Sequence, residues 1–163
     1  MRFAPAAAAL SLFLATTASV TSAQDPAPDP RALALVAQGK AALEAGDPQG
    51  ATDAFEAALA VDPGYTPIFL ELAEAARRDG LQGKAIRYYR EALSRDPENF
   101  AAISGEGAAL VEKGALEKAK RNLARLRSMC GDNCPETVSL RSTIAMGSQR
   151  VAVETNEAGP ASN

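Results

Sequence analysis

A 34-residue repeat is the feature that most constrains how this chain can fold. The three copies occupy residues 32–65, 66–99 and, less completely, 100–133. Gly46 of the first copy matches Gly80 of the second and Gly114 of the third. A period of this size is typical of solenoids, in which each unit buries its apolar face against the next. The sequence therefore predicts three stacked units.

The second unit shows the internal pattern of a repeat. Phe69, Leu72 and Ala76 follow the three- and four-residue spacing of a helix with one buried face. Thr66 stands at the N-cap position of that helix, before a proline, and Gly80 ends it. A second helix follows in the same unit, and its predicted inward residues are Ala85, Ile86, Tyr89, Ala92 and Leu93. Each unit is therefore predicted to be a helix-turn-helix.

Residues 32–133 resemble the tetratricopeptide repeat family. The positions that carry the resemblance are Gly39 and Gly107, then Ala51, Phe55, Ala58 and Pro63, and then Ala85, Tyr89, Ala92 and Pro97. The small residues stand where two helices must approach closely. The resemblance implies an all-α fold, a right-handed superhelix of three helix-turn-helix repeats.

The segments outside the repeats have separate predictions. Residues 134–147 are predicted to form a capping helix, because the last unit of a stack exposes an apolar face that must be covered. Residues 148–163 are polar with weak periodicity and are predicted to be a disordered tail. Residues 24–31 are predicted to be an extended, proline-rich leader.

The first 23 residues have the pattern of a secretory signal peptide. Arg2 precedes a short apolar run, and Thr21-Ser22-Ala23 has the small residues of a cleavage site. An uncleaved membrane anchor is the alternative, although the run is shorter than a bilayer span and is broken by Pro5 and Ser11. The sequence predicts an exported protein, cut after Ala23 and located in an oxidising space such as the periplasm.

The resemblance also implies a concave groove, lined by the first helix of each pair, that holds a peptide or helix of a partner protein. The implied groove positions are Val36, Lys40, Leu43, Leu70, Glu74, Arg77, Ala101, Ser104, Ala108 and Val111. The Lys and Asn clamp that the family uses for a terminal carboxylate is absent, with Lys40 its only remnant. This lining suits an apolar peptide or an amphipathic helix. Alternatively, some of these side chains pack between repeats.

The charges of the chain argue against one class of partner and allow another. The formal net charge is −3, which does not favour a general nucleic-acid binder. The third unit nevertheless carries a basic run, Lys118, Lys120, Arg121, Arg125 and Arg127. This run could meet an acidic partner, or it could be an ordinary solvated helix face.

Cys130 and Cys134 are the two cysteines of the chain. A structural zinc site needs four ligands, and the chain has no histidine, so no metal or other cofactor is predicted. An oxidising compartment favours a disulfide that joins the third repeat to the capping helix. A thiol-active redox centre is the alternative, because Cys134 precedes a helix start where the helix dipole lowers a thiol's pKa.

Catalysis has little support in the sequence. The chain offers no nucleophile–base pair involving histidine and no glycine-rich phosphate loop. The function predicted is therefore a non-enzymatic adaptor of the cell envelope that binds a partner protein. The alternative is a thiol-active envelope protein that works through its cysteine pair.

Overall fold

The computed structural model describes residues 27–157 of the 163-residue chain, and these residues form seven α-helices. The helices are α1 (Pro30–Glu44), α2 (Pro48–Val61), α3 (Pro67–Arg78), α4 (Gln82–Arg95), α5 (Phe100–Glu112), α6 (Leu116–Cys130) and α7 (Pro135–Glu157). The first six form three consecutive hairpins, and α7 packs on the last of them. The predicted all-α superhelical repeat is confirmed.

The turn inside each hairpin has the same structure in all three repeats. Gly46, Gly80 and Gly114 have φ angles of +79°, +73° and +78°. In each turn the next N–H bonds back to a carbonyl five residues earlier, for example Leu81 to Ala76 at 2.8 Å. Such a helix end requires the left-handed conformation, which glycine adopts without strain. The 34-residue spacing of these glycines thus fixes where every hairpin turns.

Three of the six hairpin helices, α1, α2 and α5, are capped at their start by a short polar side chain. Asp29, Asp47 and Asn99 each accept a hydrogen bond from a backbone N–H two or three residues later. Thr66 occupies the predicted N-cap position before Pro67, but its side chain makes no capping bond. In that repeat the fixed φ of proline is what favours the helix start.

Helix α3 is buried on two sides and belongs to two cores. Ile68, Leu72 and Ala75 pack with the first hairpin. Phe69, Ala73 and Ala76 pack with the second and third hairpins. The predicted single buried face of Phe69, Leu72 and Ala76 is therefore wrong, because Leu72 points to the preceding repeat while the other two point to the following one. A central helix of a stack has neighbours on both sides.

The stack is layered, with a dense inner row of helices. The backbones of α1 and α3, and of α3 and α5, approach each other closely, whereas those of α2, α4 and α6 do not. Helices α2 and α4 meet only through long side chains, as Tyr88 and Lys84 of α4 reach Glu56 of α2. The outer helices are therefore more widely spaced than the inner ones, and the row curves with α1, α3 and α5 on its concave side.

Gly39 and Gly107 allow close contacts between helices. A Cβ atom at Gly39 would lie 2.4 Å from the ring of Phe55, which is fully buried. A Cβ atom at Gly107 would lie 2.6 Å from the methyl groups of Leu140 in α7. Real Cβ atoms do not approach so closely, so glycine is required for these contacts. Gly107 thereby lets α7 dock directly on the inner helix α5.

Helix α7 is longer than the sequence predicts. It runs to Glu157, ten residues beyond the predicted end of the capping helix at position 147, so the disordered tail predicted from 148 is wrong over 148–157. Its first part is anchored by buried Thr137, Leu140 and Ile144. The helix α1 starts at Pro30, inside the predicted leader of residues 24–31. The predicted signal peptide, residues 24–26 and residues 158–163 lie outside the described residues.

The turn glycines give a test of the fold. Gly80→Ala should lower the free energy of unfolding by about 1 kcal/mol, because alanine is strained at positive φ although no atom lies near its Cβ. Gly83→Ala is the matched control, since Gly83 is exposed inside α4 and alanine favours helix there. Urea unfolding measures both, and equal effects of the two changes would contradict the assigned turn.

Candidate functional site

The predicted groove residues of the first repeat divide between core and surface. Val36 and Leu43 are buried in the core with Phe55 and Leu72, so their assignment to the groove is wrong. The reason is that α2 and α3 both pack against this side of α1 and cover it. Lys40 remains exposed.

Lys40 is bound to the neighbouring inner helix. Its Nζ atom lies 2.8 Å from a carboxylate oxygen of Glu71 on α3. The hydrogen bond with Glu71 raises the pKa of Lys40, so the ammonium stays charged and paired. The remnant of the carboxylate clamp is thus already occupied by a carboxylate of this chain.

Arg77 is the centre of a second ion-pair cluster on the concave side. Its Nη1 donates to Glu74 at 2.9 Å, and its Nε and Nη2 donate to both carboxylate oxygens of Glu112 on α5. Burial would lower the pKa of Arg77, but the hydrogen bond to Glu112 and the neighbouring acidic groups raise it overall. Glu74 also accepts from Arg78 at 3.0 Å. The cluster joins α3 to α5 at their C-terminal ends.

The helices α3, α5 and α7 enclose two adjoining clefts, which are together called the furrow. The first cleft has a volume of 390 Å³ and is lined by Arg77, Val111, Glu112, Gly114, Thr143, Met146, Gly147 and Arg150. The second has a volume of 410 Å³ and is lined by Arg77, Ala101, Ser104, Gly105, Ala108, Pro135, Glu136, Ser139 and Thr143. Arg77 and Thr143 border both clefts. The furrow is therefore continuous across the Arg77 cluster.

Five of the predicted groove residues meet in the furrow. Arg77, Ala101, Ser104, Ala108 and Val111 line it. Two other predicted groove residues do not line it. Glu74 is the ion-pair partner of Arg77, and half-buried Leu70 packs against the core of the second and third repeats.

The wall supplied by α7 was not foreseen from the sequence. Ser104 Oγ donates to the backbone carbonyl of Glu136 at 3.2 Å, which fixes the start of α7 beside α5. A Cβ atom at Gly147 would lie 2.4 Å from Val111, so the two helices remain close two turns further on. Small residues at 104, 107 and 147 were the available signal. They permit α7 to lie along the concave side as well as to cap the stack.

A buried carboxylate holds α5 in position from its other side. Glu106 is 7% exposed and accepts from Arg90 Nε of α4 at 2.7 Å and from Asn122 of α6 at 3.0 Å. Asn122 also donates to the carbonyl oxygen of Ile103. The charge is thus both paired and hydrogen-bonded, as a buried carboxylate requires. These bonds orient α5 so that its small residues face the furrow.

The predicted basic face lies on α6, away from the furrow. Lys118, Lys120, Arg121, Arg125 and Arg127 are all exposed. Lys120 pairs with Glu117 at 2.6 Å, and Arg127 pairs with Asp132 at 2.9 Å. Arg125 donates to the carbonyl oxygen of Pro97. Most of these charges therefore already have partners within the described part of the chain.

The two cysteines lie at the junction of α6 and α7. Cys130 is the last residue of α6, Cys134 precedes Pro135 of α7, and their sulfur atoms are 2.26 Å apart, at disulfide distance. Their position links the third repeat to the helix that forms one wall of the furrow. A structural disulfide stays a prediction for the protein in its own compartment.

Two features are absent from the described part of the chain. Among the side chains that the structure describes, those of residues 27–150 and 153, no group of three or more His, Cys, Asp or Glu is arranged to hold a metal ion. Over the same residues, no helix combines the length and hydropathy that crossing a bilayer requires.

Comparison with known proteins identifies the repeat. Residues 36–99 match the family model described as tetratricopeptide repeat. Residues 36–99 therefore carry the tetratricopeptide repeat. The matched region covers most of the first repeat and all of the second, and the third hairpin continues the same geometry in the structure. No curated protein matches the sequence.

Solved tetratricopeptide repeat domains have the same fold. The first such domain of Spaghetti (RPAP3), bound to the HSP90 peptide SRMEEVD, is 25% identical with a TM-score of 0.62, over 75% of this chain and 94% of that one. The first domain of human RPAP3 is 25% identical with a TM-score of 0.64, over 77% and 96%. The Sgt2 domain of Aspergillus fumigatus is 21% identical with a TM-score of 0.67, over 84% and 89%, which supports the fold alone.

The cysteine pair gives the prediction of this site. Cys130→Ser with Cys134→Ser should lower the free energy of unfolding by about 2 kcal/mol, the loop-closure contribution of so short a cross-link. Thiol titration of protein purified from its own compartment should find no free thiol. Two rapidly exchanging thiols, together with unchanged stability of the double variant, would contradict a structural disulfide.

Proposed function

We propose that this protein is a non-enzymatic adaptor that binds a peptide segment of a partner protein in the furrow. The observation that carries the proposal is the convergence of five predicted groove residues with α7 around two adjoining clefts. Because small side chains line the furrow, the backbone of a bound peptide can approach the helices closely. The side chains of the peptide can then enter the two clefts.

The related structures support binding on this kind of scaffold. The Spaghetti (RPAP3) domain was solved with an HSP90 peptide, and the second domain of human RPAP3 was solved with an HSP70 peptide. The proposal transfers to this chain the class of ligand, a peptide, and leaves the sequence of that peptide open. No nucleophile–base constellation at the furrow favours a catalytic role over a binding one.

Export to the cell envelope is part of the same proposal. It rests on the signal pattern of residues 1–23 and on the cysteine pair, which an oxidising compartment keeps bonded. An adaptor in that location would hold an exported or membrane-attached partner.

The location has a direct test. N-terminal sequencing or intact-mass measurement of the mature protein should find a chain that starts at Gln24, because the signal is cut after Ala23. Fractionation should recover that shortened chain from the periplasm. A full-length chain starting at Met1 in the cytosolic fraction would contradict export.

The binding surface is tested by blocking the furrow. A photo-crosslinking amino acid at Ser104 should capture one recurring partner in cells that produce the protein. The change Ala108→Arg, which fills the second cleft, should lower the yield of that adduct about tenfold, as expected for a loss of roughly 1.4 kcal/mol in binding.

A matched variant separates blocking from a general effect of the new charge. Ala124→Arg makes the same substitution on the exposed side of α6 and should leave the adduct unchanged. Circular dichroism confirms that both variants fold. An adduct that survives Ala108→Arg, or one that forms only with a probe at Arg121 on the outer face, would contradict binding in the furrow.

A further inference from the structure

The concave side of this protein neutralises its own cations. Lys40 of α1 pairs with Glu71 of α3, and Arg77 of α3 pairs with Glu112 of α5. In both cases the carboxylate comes from the next inner helix, so the ion pairs bridge successive repeats. The groups that could attract an acidic ligand are therefore used between repeats.

The Arg77 cluster leaves little capacity for a ligand carboxylate. All three guanidinium nitrogens donate to carboxylates, two of them to Glu112 and one to Glu74. The paired donation to Glu112 uses the planar fork with which arginine binds a carboxylate. A ligand carboxylate at this point would have to compete with Glu112 and Glu74 for the guanidinium of Arg77.

The remaining charges of the furrow cancel. Arg150 lines the first cleft and Glu136 the second, so one charge of each sign adds to the Arg77 cluster. The other lining side chains are mostly small, apolar or hydroxyl-bearing. The charges that line the furrow therefore balance, and Glu112 lines the first cleft, where it is bound to Arg77, which borders both clefts.

We infer that Glu112, together with Glu74, makes the furrow select peptide segments with uncharged, small or apolar side chains and exclude acidic ones. The inference rests on the proposed function and names the ligand class of the same site. Complementary charge sets specificity largely through the penalty on wrong partners. Here Glu112 and Glu74 already occupy the guanidinium of Arg77, so an acidic side chain would lose its water in the furrow without gaining a cationic partner.

The test compares selection by three forms of the purified protein. A random heptapeptide display library is presented to the wild type, to Glu74→Gln with Glu112→Gln, and to Glu91→Gln with Glu117→Gln. The control pair removes two carboxylates that pair with Arg95 and Lys120 on the outer helices, so it changes the net charge equally. Circular dichroism confirms folding, and Glu112→Gln alone serves if the first double variant does not fold.

The expected result is a wild type and a control that both select peptides depleted in Asp and Glu, and a furrow variant that loses this depletion. The peptide SRMEEVD is the direct probe in fluorescence anisotropy, and the furrow variant should bind it at least about tenfold more tightly than the wild type. Unchanged selection by the furrow variant, or tight binding of SRMEEVD by the wild type, would overturn the inference but keep the furrow as a peptide site. A library that yields no binder to any form would overturn the proposed function as well.

Discussion

The packing of each helix hairpin against the next one is the interaction on which this structure depends. No hairpin has a core of its own, because α3 gives one face to the first repeat through Leu72 and another to the later repeats through Phe69. The apolar surface of a unit is removed from water only when its neighbours are present. At the two ends of the stack, where one neighbouring hairpin is missing, the exposed apolar face must be covered in another way.

Helix α7 covers the exposed apolar face at the C-terminal end of the stack, and it also forms part of the furrow. Leu140 and Ile144 bury the face that the third hairpin would leave open. Gly107 lets the same helix approach α5 so closely that its other residues border the concave side. One helix thus provides both the cap required for stability and one wall of the furrow proposed for binding.

Much of the fold could be predicted from the sequence because the same local signals for turns and helix contacts recur in successive repeats. The glycines at 46, 80 and 114 mark the turns, and small or aromatic residues at fixed positions mark the helix contacts. The site was harder to predict, since transferred groove positions assume that every repeat has the same neighbours. Val36 and Leu43 fail that assumption, because they are buried in the first core, whereas Arg77 and Val111, at the positions equivalent to Leu43, border the furrow. The end of α7 was missed because its weak periodicity does not distinguish a lightly packed helix from a disordered segment.

The unequal spacing of the two helix rows has a mechanical consequence. The inner helices approach one another along their backbones and are bridged by ion pairs, while the outer helices α2 and α4 meet only through the side chains of Tyr88, Lys84 and Glu56. Opening or tightening the curve therefore changes few outer contacts, and most of the strain falls on the inner row. We expect the stack to deform elastically, with a resistance that depends on the ion pairs Lys40–Glu71 and Arg77–Glu112. A force applied between its two ends would widen or narrow the concave side without unfolding any hairpin.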